Sequence, residues 1–142
     1  MSKIVFSNEA MQYIRAASNL LHVDIIDCIV ANDDWLIFVI KKGQLGKAIG
    51  PKARKLEKLK KTLKKNIKFV EFDEDPERFI VNLFKPYKIQ KLNLKDYNGK
   101  SVAYVQVNPR EKSKIIGKNG RNIEAIRELA NRHHSINDVQ IK

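Results

Sequence analysis

The chain has 142 residues, 43% hydrophobic and 31% charged, the composition of one ordinary folded domain or two very small ones. A formal net charge of +12 favours a polyanionic partner, either nucleic acid or an anionic surface, and carries no information about fold. No apolar run reaches the ~18 residues of a membrane span, the opening MSKIVFSNEA lacks the apolar core of a secretory signal, and one cysteine allows neither an internal disulfide nor a cysteine-rich zinc site. A reducing, cytoplasmic setting without membrane contact is expected, with Cys28 buried as a small hydrophobe.

In chain order, Ser7-Asn8-Glu9 opens a helical pattern with Ser7 as N-cap and Met11, Ile14, Leu20 and Leu21 near helical spacing. Residues 23–33 read as a strand ended by the turn residues Asn32-Asp33-Asp34, and WLIFVI (35–40) as a second strand paired antiparallel to it. A short helix should then end near Gly50 and a longer one begin at Pro51, a residue suited to a first helical turn, with Leu56, Leu59 and Leu63 as its apolar stripe. IKFVEFD (67–73) reads as a strand with Ile67, Phe69, Val70 and Phe72 as candidate core residues.

Glu74-Asp75-Pro76 marks a boundary, after which the order begins again. Residues 76–87 read as a helix, and the next strand is followed by Asn98-Gly99, a strong hairpin signal. Residues 101–108 form the returning strand, Pro109 opens a helix ending near Ile116-Gly117, residues 121–132 form another, and NDVQIK closes the chain as a strand. The two halves align at one constant offset: Trp35 to Ile40 on Val102 to Val107, Ala48-Ile49-Gly50 on Ile115-Ile116-Gly117, Arg54 on Arg121 and Glu57 on Glu124. Chance supplies hydrophobic matches more readily than glycine, arginine and glutamate in the same register. The chain is therefore read as α+β, with one module over residues 1–74 and another over 75–142.

The most informative stretch is KIIGKNGRNIEAIREL (114–129), in which two helical patterns meet at Gly117-Lys118-Asn119-Gly120. Glycines let the backbone turn tightly and approach a sugar-phosphate chain. Amides at the start of the next helix favour anions, and Lys118 and Asn119 add a cation and amide donors. Ile-Ile-Gly-x-x-Gly-x-x-Ile, with a strand before and after, resembles the core of the KH domain, whose Gly-x-x-Gly loop clamps about four nucleotides of single strand. The first copy reads Gly50-Pro51-Lys52-Ala53: Pro51 removes an amide and Ala53 replaces the second glycine. Lys47, Lys52, Arg54 and Lys55 crowd around it, leaving open whether this loop clamps a strand or the module holds its neighbour rigidly.

The element order resembles the prokaryotic-type (type II) KH arrangement, a three-stranded sheet with helices on one face. Two such modules with almost no linker are similar to the KH pair of the NusA-like transcription factors, in particular the short archaeal form. That resemblance implies a monomeric, non-enzymatic protein that binds single-stranded RNA during transcription elongation or termination, with RNA polymerase as a candidate partner. A KH-type ribosome-assembly or RNA-processing factor is the alternative. The contacts it implies are Lys114, Ile116, Gly117, Lys118, Asn119, Gly120, Arg121 and Ile123, and in the first copy Lys47, Ile49, Gly50, Pro51, Lys52, Ala53 and Arg54. Ile116 and Ile123 would wall the groove in which bases lie.

No metal or cofactor is expected. His133-His134 reads as a surface helix end, because adjacent histidines diverge on a helix. Trp35, Phe38 and Tyr104 are expected in the core, and Tyr87 is a weaker candidate for contact between modules. The lysines of residues 52–65 distant from the loop read as a solvated face, and the acids Glu71, Asp73, Glu74, Asp75 and Glu77 as a polar linker.

Overall fold

A computed structural model of the chain describes residues 7–32 and 34–142. The expected turn residue Asp33 and residues 1–6 of the opening MSKIVFSNEA lie outside them. The described chain divides into two compact units between Asp73 and Glu74.

In the first unit, α1 (Asn8–Leu21) starts where the Ser7 side chain accepts a hydrogen bond from the Ala10 amide at 3.1 Å. It ends at His22, whose left-handed backbone directs its N–H to the Ser18 carbonyl. β1 (Ile25–Asn32) and β2 (Trp35–Ile40) pair antiparallel. The helices α2 (Leu45–Ile49) and α3 (Arg54–Leu63) cross over, and β3 (Asn66–Glu71) returns parallel to β2. The sheet order is β1-β2-β3. Ala17 and Leu21 of α1, Phe38 and Ile40 of β2, Ala48 of α2 and Leu59 of α3 form one core, so the helices cover the face that carries Leu36, Phe38 and Ile40. Cys28 is buried in it.

The second unit repeats this order. α4 (Pro76–Phe84) has Pro76 in its first turn and Asp75 as N-cap. β4 (Ile89–Tyr97) and β5 (Lys100–Val107) form a hairpin whose turn residues Asn98 and Gly99 both have positive φ, as a two-residue type I′ turn needs. α5 (Lys112–Ile116), α6 (Arg121–His134) and β6 (Asp138–Ile141) follow, with β6 parallel to β5. Ala103, Val105 and Val107 are buried, whereas Gln106 between them is exposed. One face of this sheet thus packs and the other is open.

Several expectations are corrected. The helix read from Pro51 starts at Arg54, because Lys52 and Ala53 have φ of 53° and 57° and cannot propagate a right-handed helix. Pro109 opens a turn, not a helix: the Glu111 amide bonds the Asn108 carbonyl, and α5 begins at Lys112. α4 stops at Phe84, before Pro86, which lacks an amide and forces extended backbone on Lys85 (ψ 142°). Met11 and Trp35 are 46% and 43% exposed, not core. Tyr104 is half-buried on the open face, and Phe69 and Phe72 are half-buried while Val70 is fully packed. His133 and His134 are half-buried and lie 5.6 and 5.2 Å from the Phe79 ring, holding the end of α6 to α4.

Candidate nucleic-acid interface

The two loops follow the same backbone path. Gly50 and Gly117 have φ/ψ of 77°/170° and 79°/171°, a region reached essentially by glycine alone. Lys52 (53°/31°) matches Asn119 (58°/26°), and Ala53 (57°/25°) matches Gly120 (71°/12°). A Cβ on Gly117 would stand 2.8 Å from the Asn122 Cβ and 3.0 Å from its amide nitrogen. On Gly50 it would stand 2.9 Å from the Lys55 Cγ. On Gly120 the nearest atom is 4.0 Å away, so only the left-handed backbone favours glycine there. Ala53 therefore keeps the turn of the first loop at a conformational cost of about 1–2 kcal/mol and does not displace its backbone.

Hydrogen bonding decides what each loop offers. In the second loop the amides of Gly117, Gly120 and Arg121 bond to Ser113, Gly117 and Lys118 carbonyls. Among the described residues this leaves the Lys118 and Asn119 amides without an internal acceptor, both on exposed residues at the start of α6. In the first loop Gly50 and Ala53 amides bond to Gly46 and Gly50 carbonyls, and Arg54 to Pro51. Pro51 has no N–H, so only the Lys52 amide is left. The second loop thus presents a pair of amides to an anion and the first presents one.

Cations surround both loops. Lys114, Lys118 and Arg121 are exposed around the second, and Lys47, Lys52 and Arg54 around the first. None of these is in an ion pair among the described residues. The arginines of α6 that are neutralised lie farther along the helix: Arg127, held by Glu124 at 2.7 Å and Asp138 at 3.2 Å, and Arg132, held by Glu128 at 2.7 Å. Ile49 and Ile116 are half-buried beside their loops, leaving apolar edge accessible. Ile123 is only 4% exposed and supports the loop from below instead of walling a groove.

Asn122 was not singled out by pattern. Its side-chain amide donates to the Ile115 carbonyl at 2.6 Å, tying the first turn of α6 to the end of α5 across the loop. The signal available was its place in the Gly-x-x-Gly-x-Asn spacing, where the first copy has Lys55, which instead reaches the Leu21 carbonyl at 3.4 Å. At the far end of α3, Lys60, Lys61, Lys64 and Lys65 line an open depression of about 300 Å³ with Asp34 and Asn66. The boundary acids are engaged in structure: Asp75 caps α4, and buried Asp73 lies 3.4 Å from Lys42. Among the described residues no group of His, Cys, Asp and Glu could hold a metal ion, and no helix is long and apolar enough to cross a membrane.

Paired helix-strand-strand-helix-helix-strand modules, each with a glycine-pivoted loop between its last two helices, define a tandem KH protein. Comparison with known families agrees: residues 16–93 match the KH domain and residues 76–141 the NusA-like second KH domain. The chain belongs to the NusA-like family of tandem KH proteins. It is 33% identical over 138 residues to a protein of Halobacterium salinarum named "Probable transcription termination protein NusA", covering 97% of this chain and 98% of that one. A Methanocaldococcus jannaschii protein of the same name is 26% identical over 141 residues, 99% of this chain and 76% of its own. The crystal structure of APE1850 superposes with a TM-score of 0.76 at 32% identity, covering 96% of this chain and all of that one.

Proposed function

We propose that this chain binds single-stranded RNA through its KH loops and acts in transcription termination or elongation, by binding and without catalysis. The observation that carries the reading is the second loop: two amides without an internal acceptor and three unpaired cations, Lys114, Lys118 and Arg121, around it, with the Ile116 edge beside them. Amides and cations take the phosphates, and the half-buried isoleucine gives a base an apolar surface. The relatives' shared name favours transcription over ribosome assembly or RNA processing. RNA polymerase is the proposed protein partner and the monomer the proposed state, in the cytoplasm.

The test is fluorescence anisotropy of labelled single-stranded RNA with the wild type, a Lys118→Asp/Asn119→Asp variant, and Lys52→Asp, with circular dichroism to verify folding. The second-loop variant should weaken binding by about tenfold or more, roughly 1.4 kcal/mol, because carboxylates then face the phosphates. Lys52→Asp should weaken it less, since that loop offers one amide. Unchanged affinity in the folded second-loop variant refutes the clamp. Co-purification with RNA polymerase supports the transcriptional assignment, whereas recovery with pre-ribosomal particles overturns it.

A further inference from the structure

The open face of the second module's sheet carries chemistry that the loop does not use. Strand register places Tyr104 beside Asn93 on one side and Gln140 on the other. One step along, Val102 stands beside Lys95, and in the other direction Gln106 stands beside Lys91. Lys91, Asn93, Lys95, Gln106 and Gln140 are exposed, and Tyr97, at the hairpin end of β4, is 49% exposed. The Lys95 and Lys142 ammonium groups lie 5.7 and 5.5 Å from the Tyr104 ring centre. Hydrogen bonding with the Tyr97 side chain, followed by desolvation, pushes the Tyr104 phenol above its ordinary pKa.

The internal repeat makes this face informative. At the positions matching Tyr104 and Gln106 the first module has Ile37 and Val39. The helix-covered positions stay apolar in both copies: Leu36, Phe38 and Ile40 against Ala103, Val105 and Val107. On the opposite face the buried Ile37 and Val39 of the first copy give way to half-buried Tyr104 and exposed Gln106.

We infer that this face is a second single-strand RNA platform, on which a base stacks against Tyr104 while Lys91, Lys95 and Lys142 contact flanking phosphates. It shares with the preceding reading only the premise that the ligand is single-stranded RNA. The Gly117–Gly120 loop joins helices on the other side of the sheet, so the two surfaces are separate. A π face with cations beside it accepts any base, and the lysines now over the ring are placed to take the neighbouring phosphates. Asn93 and Gln140, in register with Tyr104, offer donors and acceptors to base edges. The one carboxylate in register with Val102, Asp138, is already engaged by Arg127 at 3.2 Å, the Val139 amide and the Gln140 side chain. A protein partner fits less well, because protein interfaces are depleted in lysine and centre on a larger apolar patch than two tyrosines and Val102 provide.

The experiment titrates a fluorescein-labelled single-stranded RNA of about 12 nucleotides against the full chain, in the wild-type and Lys118→Asp/Asn119→Asp backgrounds. Tyr104→Ala should weaken binding by about 5- to 100-fold in both, and Tyr104→Phe, which keeps the ring, by no more than about twofold. Lys95→Gln/Lys142→Gln should flatten the dependence of log K on log salt by about 1.4, some 0.7 per phosphate contact. This last variant leaves the packed face untouched and keeps the test decisive if Tyr104→Ala folds poorly. A loop variant that binds normally while Tyr104→Ala fails would sink the clamp and leave the platform standing. Unchanged affinity in Tyr104→Ala with an unchanged salt slope overturns the platform and leaves the face to a protein partner. Equal losses in Tyr104→Ala and Tyr104→Phe overturn stacking as its basis.

Discussion

Gly117→Ala tests the view that the loop's shape is set by its first glycine. The residue sits at φ 79°, ψ 171°, where a side chain costs about 1–3 kcal/mol from backbone strain alone. The new methyl would also meet the Asn122 Cβ at 2.8 Å and its backbone nitrogen at 3.0 Å. Asn122 begins the first turns of α6, so it cannot yield as a flexible side-chain end could. If it shifts, the 2.6 Å bond from its side chain to the Ile115 carbonyl weakens, adding about 1 kcal/mol. A loss of about 2–4 kcal/mol follows for the second module. With a urea slope of roughly 1–3 kcal/mol/M, its midpoint should fall by about 0.7–4 M. Gly120→Ala is the matched control. Its backbone (71°/12°) is ordinary left-handed, its nearest neighbour is 4.0 Å away, and Ala53 occupies the equivalent place in the first loop. It should cost only about 1–2 kcal/mol. Urea titration followed by circular dichroism compares the two variants, and hydrogen exchange in α6 assigns the loss to the second module. Equal destabilisation by the two substitutions would refute the claim that contact with Asn122, beyond backbone handedness, requires glycine at position 117.

Asn122→Ala should destabilise the second module by about 1–2 kcal/mol, read by the same titration, because the Ile115 carbonyl loses its donor. Asp75→Ala should cost about 1 kcal/mol through loss of the α4 N-cap. Ala53→Gly should stabilise the first module by up to about 1 kcal/mol, since relief of left-handed strain outweighs added chain entropy. Lys68, half-buried on β3, has its pKa pushed down to about 8 by desolvation. The unfolded chain then binds the extra proton between about 8 and 10.5, so stability should rise with pH across that window. Lys68→Met should flatten that rise, measured as urea midpoints across a pH series.

Glycine and proline punctuation made the repeat legible. They mark places where backbone geometry, not packing, selects the residue, and backbone requirements survive in a single sequence. The hairpin at Asn98-Gly99 and the helix break at Gly50 and Gly117 both follow from that rule. Proline was less reliable as a start signal: Pro51 and Pro109 each open a single turn, because the residues after them take turn geometry before a helix begins. Strand faces were the least legible. In WLIFVI both faces are apolar, and in VAYVQV a tyrosine alternates with valines, so period alone could not say that Trp35 and Tyr104 point away from the helices. Asn122 escaped notice because its partner is a backbone carbonyl seven residues earlier, a contact that exists only once α5 and α6 have turned against each other.

The two loops separate shape from chemistry in a way one copy could not. Gly50 and Gly117 hold the same φ/ψ to within a few degrees, and the residues after them follow the same path whether they are Pro-Lys-Ala or Lys-Asn-Gly. The fold of each module therefore constrains the first glycine, while the second position can carry a methyl. What differs is the number of outward donors, two in Lys118 and Asn119 against one in Lys52, and that difference bears on anions and not on stability. A loop whose only duty was to connect two helices would have no use for the second amide. Restoring it in the first module, by Pro51→Lys, should leave the backbone path intact, because Lys118 already sits at the matching position in the same turn. It should strengthen RNA binding by the worth of one charge-assisted hydrogen bond and one cation, about tenfold. A stable Pro51→Lys variant with unchanged affinity would show that amide count is not what distinguishes the loops, and would direct attention to Ala53 and the groove beside it.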